Sequence, residues 1–394
     1  MREAAIVDVV RTPIGKGRAG GMLSGWHPVS LLAHVLRAVV DRTGVDPASV
    51  DDVIVGCVTQ SGEQAINVGR NAVLAAGFPV SVPAVTIDRQ CGSSQQAIHF
   101  AAQGVMAGAY DVAIAAGIES MSRVPMFSSR MGVDHTGPEI AERFDGGLIP
   151  QGISAELVAA RWDLSREDLD AYAARSHALA GAAELTGIIP TAVDRGDGRT
   201  DELAERDEGI RPGSSVASMA GLPPAFRTDE LAARYPDARW IVTAANASQI
   251  SDGASAALVV ERGLAERLGL RIRAVVRAFA VVGDDPILML TGVIPATRAV
   301  LAKAGLALDD IDALEVNEAF ASVVLAWQRE IGADPERVNV HGGAIANGHP
   351  LGASGTKLLG SLLDALDERG GRFGLQTMCE GGGMANAMIL ERIA

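Results

Sequence analysis

Residues Val82–Ala116 read VPAVTIDRQCGSSQQAIHFAAQGVMAGAYDVAIAA. Val82–Ile87 is a short apolar run suited to a strand. From Cys91 to about Gly108, Ala97, Ile98, Ala101 and Val105 share one helical stripe. Asp111–Ala116 is apolar throughout, as a strand covered on both faces would be. Strand, helix and strand in this order predict a mostly parallel sheet covered by helices, the α/β class.

The same grammar extends in both directions. Ala4–Val10 suits a central strand, and Pro13–Gly25 is loop. Pro28–Thr43 has helical spacing through Leu31, Leu32, Val35, Leu36 and Val39 and ends at Gly44, and Val53–Val58 is a further strand. The last third repeats the plan. Pro295–Gly305 is a helix closed by glycine, and Ile311–Val316 is a strand approached through Asp309-Asp310, much as Ser49-Val50-Asp51-Asp52 leads into Val53. A glycine-rich turn, Gly348–Gly355, opens a helix through Leu366, and Phe373–Met378 is a strand. Two similar halves are expected, 1–120 plus 246–270 and 271–394. Between them, 121–245 is rich in glycine, proline and charge, with short amphipathic helices at Ser154–Trp162 and Ser165–Leu185. An insertion of that length over a rigid scaffold is either a substrate-binding subdomain or a structural and oligomerising one.

Bulk properties narrow the function. The chain has 394 residues, 48% of them hydrophobic but only 4% aromatic, which is enough for a large core without staples. A net charge of -14 with no long basic run argues against nucleic acid. An anionic ligand would have to be held by local N–H groups and a few arginines. Cys57, Cys91 and Cys379 are too few and too scattered for a disulfide framework or a zinc knuckle. No signal-like segment and no long apolar span is present, so a cytoplasmic protein without membrane insertion is expected.

Four places carry chemistry. Asp88-Arg89-Gln90-Cys91-Gly92-Ser93 sets a cysteine where a strand turns into a helix, whose free N–H groups would favour a thiolate and lower the thiol pKa. A packed core cysteine fits that context equally well. Asn317-Glu318-Ala319-Phe320 follows a strand, at the end where open α/β sheets place ligands, although a helix cap alone would explain it. His349 lies in the glycine-rich turn as a base or oxyanion donor, while His34, His99, His177 and His341 read as satisfied structural or surface residues. Cys379 ends an apolar strand before Gly381-Gly382-Gly383, whose N–H groups could hold an oxyanion. Cys57 is assigned to packing.

Taken together, Cys91-Gly92-Ser93, Asn317-Glu318-Ala319-Phe320, Gly348-His349-Pro350 and Cys379-Glu380-Gly381 resemble, in order, the four signature blocks of the thiolase family. Val9-Val10-Arg11-Thr12-Pro13-Ile14-Gly15 and Asn246-Ala247-Ser248-Gln249-Ile250-Ser251-Asp252-Gly253-Ala254 extend the likeness over essentially the whole chain. The resemblance implies the thiolase fold, two duplicated βαβαβαββ halves in a layered αβαβα core with an inserted loop domain. It implies an acyltransferase that cleaves a 3-oxoacyl-CoA with coenzyme A as co-substrate, without metal or prosthetic group, as a homodimer or homotetramer.

By the same likeness Cys91 is the nucleophile and His349 its base. Cys379 is the acid and base toward acetyl-CoA and coenzyme A. Asn317 fixes a water in one oxyanion hole, the N–H groups of Cys91 and Gly381 form the other, and Glu318 orients. Coenzyme A would lie along Ser248, with Met289 and Phe320 at the reacting end and Leu222 and Phe226 nearer the nucleotide. Pro223 and Pro150-Gln151 depart from the family, which often has a basic residue and a His-Met pair there; Arg227 is the candidate replacement charge. Loss of the His-Met pair, and a cysteine block similar to that of actinobacterial thiolases, favour a degradative enzyme for a larger or sterol-type acyl group. The alternatives are condensation of two acetyl-CoA, a ketoacyl synthase of the same fold, or a non-catalytic acyl-CoA or lipid carrier.

Overall fold

Local chemistry sets the element boundaries. The first helix, α1 (Pro28–Thr43), begins with proline in its first turn, where the missing N–H is not needed. It stops at Gly44, whose φ of 70° lets its N–H return to the Val40 carbonyl. The computed structural model describes residues 2–144 and 147–393. Its first half runs β1 (Ala4–Arg11), α1, β2 (Asp52–Gly56), α2 (Val68–Ala75), β3 (Ala84–Ile87), α3 (Ser93–Ala107) and β4 (Val112–Ser120). The inserted segment includes α4 (Gln151–Arg161) and α5 (Arg166–Ala182), after which β5 (Ser251–Glu261) returns to the first half. The second half is β6 (Ala274–Gly283), α6 (Val293–Ala304), β7 (Ala313–Val316), α7 (Ala321–Ile331), α8 (Ser354–Arg369), β8 (Phe373–Glu380) and β9 (Met384–Arg392).

The strands form one sheet path, β7-β8-β9-β6-β1-β5-β4-β2-β3. Pairing of Ala5 with Val275 and Ile6 with Ala274 joins the halves. Only β2–β3, β2–β4 and β7–β8 are parallel; the other neighbours on the path are antiparallel, so the sheet is mixed rather than mostly parallel. The reason is that each half closes on a strand, β5 or β9, that returns beside its predecessor, as β8 and β9 do through the Gly381–Gly383 turn. Duplication is visible atom by atom. Asp51 accepts the N–H groups of Asp111 and Val112, tying the start of β2 to β4, and Asp312 accepts those of Arg372 and Phe373, tying β7 to β8. The structural counterpart of Asp51 is thus Asp312, not the Asp309-Asp310 pair.

Alternation along the strands distributes side chains between layers. Val53 and Val55 of β2 enter an outer core with α1 and α2, whereas Ile54 enters a middle core built by α3 and α8. A second outer core, on the second half, takes α6 and α7 together with α4 and α5 of the insertion. Helices α3 and α8 therefore lie between the two sheet halves. Their N-terminal ends meet closely: a Cβ on Gly355 would fall 2.0 Å from the Gln95 nitrogen, so only glycine fits. That approach brings the Cys91 turn and the His349 loop to one place. No helix among the described residues is long and apolar enough to cross a membrane.

Candidate active site

The turn into α3 is braced from both sides. Ser93 Oγ donates to the Gln90 carbonyl at 2.6 Å and accepts from Arg89 N–H at 2.9 Å, while Asp88 accepts the Gln90 N–H at 2.6 Å. Gln90 is held at φ 50°, a left-handed conformation rare for a residue with a side chain. Cys91 follows at 4% exposure, packed with Leu358 of α8 and Met378 of β8. Burial pushes its thiol up to about 12 and the charge of Glu380 adds to this, while a hydrogen bond from the Gln151 side chain opposes it. The sequence expectation of a lowered thiol pKa is corrected here: the helix end is present, but burial outweighs it.

His349 stands opposite in electrostatic logic. Ser354 Oγ gives its proton to the Pro350 carbonyl at 2.9 Å, so it accepts from His349 Nδ1–H at 2.5 Å. That fixes the tautomer and leaves Nε2 as a lone pair, 3.4 Å from Asn317 Nδ2. Burial, with a contribution from the Lys357 charge, holds the imidazole down to about 3. Lys357 itself donates to the Gly348 carbonyl at 3.0 Å and pins the loop just before the histidine. Glu318 does not face the thiol. It accepts from Tyr172 Oη, Ser176 Oγ, Asn339 Nδ2 and Ile345 N–H, and so anchors the loop that carries His349.

Cys379 is buried in β8, and its thiol lies well above the ordinary range because of burial and then the charges of Cys91 and Glu380. Gly381 abuts Gln90: a Cβ there would sit 2.9 Å from Gln90 Oε1. The site thus holds a neutral thiol at Cys91, a neutral imidazole whose unprotonated Nε2 faces Asn317, and a second neutral thiol at Cys379. A proton can pass between such groups without any buried charge standing alone at rest. Among the described residues no cluster of His, Cys, Asp and Glu could hold a metal ion.

Models of the thiolase N-terminal domain and the thiolase C-terminal domain match residues 4–263 and 270–392. The chain belongs to the thiolase family. It is an acyltransferase with the mixed α/β fold of that family. It is 49% identical to the steroid 3-ketoacyl-CoA thiolase FadA6 of Mycobacterium tuberculosis, over 100% of this chain and 95% of the relative. It is 43% identical to the 3-ketoacyl-CoA thiolase of Serratia proteamaculans over the full length of both. The crystal structure of human mitochondrial 3-ketoacyl-CoA thiolase superposes with a TM-score of 0.87 at 33% identity, covering 100% of this chain and 99% of that one.

Around the thiolase site the remaining sequence candidates divide. Phe320 and Phe226 meet edge to face with centroids 6.0 Å apart, and Phe226 also lies on Gly152, where a Cβ would come within 2.3 Å of the ring. Phe226 therefore shares a wall with Phe320. Met289 is buried at φ 50°, and Ser248 donates its N–H to the Ala319 carbonyl beside Asn317-Glu318. Leu222 and Arg227 lie at the exposed rim, and Arg227 pairs with exposed Asp229 at 3.4 Å, which offsets its charge. Two functional residues were not singled out by sequence reasoning. Gln151, seen only as a departure from the family, reaches the Cys91 thiol, and Glu380, quoted within a motif, sits beneath it. Among the histidines, His99 is corrected: it is fully buried against Phe279, and neither ring nitrogen has a hydrogen-bond partner among the described residues. Cys57 packs in the outer core of the first half.

Proposed function

We propose that the chain is a degradative thiolase, cleaving a 3-oxoacyl-CoA with coenzyme A to acetyl-CoA (or propionyl-CoA) and a shortened acyl-CoA. The observation that carries the reading is an imidazole, in the loop brought beside the Cys91 turn by the contact of Gly355 with Gln95, whose tautomer is fixed by Ser354 so that Nε2 is the lone-pair nitrogen, next to Asn317. Cys91 Sγ attacks the keto carbon as its proton passes to His349 Nε2. Attack by a neutral pair avoids a standing buried thiolate, which burial disfavours. The tetrahedral oxyanion, on the carbon bonded to Cys91 Sγ, is stabilised by the N–H groups of Cys91 and Gly381. The bond between C2 and C3 then breaks, and its electron pair becomes the enolate of acetyl-CoA, whose thioester oxygen faces His349 and the water held by Asn317. Cys379 protonates that enolate. As a thiolate it then takes the proton of incoming coenzyme A, whose sulfur attacks the acyl-Cys91 thioester; the Cys91–acyl bond breaks, His349 returns its proton to Cys91 Sγ, and the shortened acyl-CoA is released.

Ser248, Met289, Phe320 and Phe226 line the approach of the pantetheine and acyl groups, with Leu222 and Arg227 at the rim. A large or sterol-type acyl group is supported by the 49% identity to a steroid 3-ketoacyl-CoA thiolase and by Pro150-Gln151 standing where the family resemblance leads one to expect a His-Met pair. The same reading has the enzyme work in the cytoplasm as a dimer or tetramer, without a prosthetic group. The test is CoA-dependent loss of the 3-oxoacyl-CoA enolate absorbance, with acetoacetyl-CoA and a bulkier substrate in parallel. Wild type should favour the bulkier ester, and Cys91→Ala should abolish turnover of both. A wild type that binds the esters and cleaves neither would leave a carrier as the better reading, and a strong preference for acetoacetyl-CoA would remove the large-substrate assignment.

A further inference from the structure

Side chains of β8 alternate, and Gln376, Met378 and Glu380 point toward the middle helices. Gln376 donates to Gln95 Oε1 of α3 at 3.0 Å, Met378 packs on Cys91, and Glu380 reaches under Gly92, the residue that caps α3. A Cβ on Gly92 would lie 2.0 Å from Glu380 Oε1, so the carboxyl rests against the backbone right beside the nucleophile. Glu380 is wholly buried, yet among the described residues neither of its oxygens has a hydrogen-bond partner. Glu315 of β7 is likewise buried without partners, but Glu119 and Glu318 are treated differently. Glu119 accepts from Val58 N–H, Thr59 N–H, Gln64 and Gly352 N–H, and Glu318 has the donors named above. A carboxylate meant to stay charged is surrounded by donors; Glu380 is not.

We infer that Glu380 is a positioning residue for the nucleophile: its carboxyl must be uncharged for the Cys91 thiol to give up its proton, so its ionisation sets an alkaline limit on the enzyme. This rests on Cys91 being the nucleophile, as proposed above. The helix end offers roughly half a unit of positive charge, enough to favour one adjacent anion but not two. The charged and titratable groups acting on Glu380 are Asp88 and Arg89 from the turn, Cys91 at the head of α3 and Cys379 beside it on β8. β9 contributes the neutral Asn386, which donates to the Gly92 carbonyl. Burial raises the carboxyl to about 8, against the pull of Arg89. Below that pH the acid is neutral and the helix end serves the sulfur alone. Above it, the carboxylate occupies the same field and holds the thiol proton on.

The test compares wild type with Glu380→Gln, which keeps the shape and cannot ionise. Iodoacetamide modification of the Cys91 peptide is followed by mass spectrometry from about pH 6 to about pH 10, beside kcat/KM for thiolysis. The wild-type alkylation rate should flatten above about pH 8, while E380Q continues to rise and reacts roughly tenfold faster at about pH 9, and its kcat/KM profile should lose the alkaline limb. Superimposable alkylation profiles would overturn the inference. Because alkylation needs no acyl-CoA, a charge effect on Cys91 in an enzyme that cleaves no 3-oxoacyl-CoA would count against the functional reading alone. Should E380Q fold poorly, infrared difference spectra of wild type decide the matter. A protonated buried carboxyl stretch lost as pH rises through about 8 supports the inference, and its absence at about pH 6 refutes it.

Discussion

The two halves share one strand and helix order but deliver their catalytic side chains by different means. In the first half, β3 is a full strand, and a short turn of five residues held at positive φ by Gln90 leads straight into α3 with Cys91 at its head. In the second half the corresponding strand is reduced to a single bridge, Val338 with Leu314. The chain saved is used for a buried loop, Asn339 to Pro350, that carries His349 to the same spot. The first solution is local: Ser93 and Asp88 hold the turn they belong to. The second is tertiary, because Glu318, Tyr172 and Ser176 hold a loop far from them in sequence. A nucleophile is best fixed by a stiff turn at a helix start. An imidazole that must turn one nitrogen inward needs a partner for the other, and a loop provides room for it.

The comparison breaks most readily at Glu318. Glu318→Ala takes the acceptor from Tyr172 Oη, Ser176 Oγ and Ile345 N–H, and urea unfolding should show a loss of about 3–5 kcal/mol together with a collapse of kcat. Alkylation of Cys91 in the surviving folded fraction should stay near wild type, because the first half's turn is independent of that loop. Ser93→Ala is the counterpart on the first half. It removes two hydrogen bonds confined to the turn and should cost about 1–2 kcal/mol, with slower Cys91 alkylation and an unchanged His349 titration by NMR. The smallest effect belongs to Gln151→Ala, which takes away the single donor that the insertion extends to the thiol. Cys91 alkylation near neutral pH should slow by up to about tenfold without a change in stability beyond about 0.5 kcal/mol. Equal losses from all three variants would mean that the halves hold their residues in the same way.

Much of this was legible in the sequence, for identifiable reasons. The helices at 28–43 and 293–304 announce themselves by apolar spacing and by glycines at 44 and 305 in left-handed conformation, and the chemical blocks fall at turns where ligands are expected. What stayed hidden depends on partners distant in the chain. The returning strands β5 and β9 have no short-range sign of their direction, hence the expectation of a parallel sheet. The raised Cys91 thiol arises from Leu358 and Met378 of the other half, whereas sequence displays only the helix start, which acts in the opposite direction. Glu380 reads as a motif residue until Gly92 is found above it, and Gln151 as a substitution until the insertion is folded over the site. Its reach to the thiol was signalled only by Pro150-Gln151 standing where the resemblance leads one to expect a His-Met pair.

The account turns on Cys91 carrying the acyl group. The most direct measurement is intact-protein and peptide mass spectrometry after brief mixing with a 3-oxoacyl-CoA in the absence of free coenzyme A, in wild type and in Cys379→Ser. The expected result is one acyl adduct on the Cys91 peptide in wild type, discharged on adding coenzyme A, and far less adduct in the variant, which lacks the acid that protonates the departing enolate. An adduct on Cys379 or Cys57, or turnover of substrate with Cys91 unmodified and resistant to trapping, would contradict it.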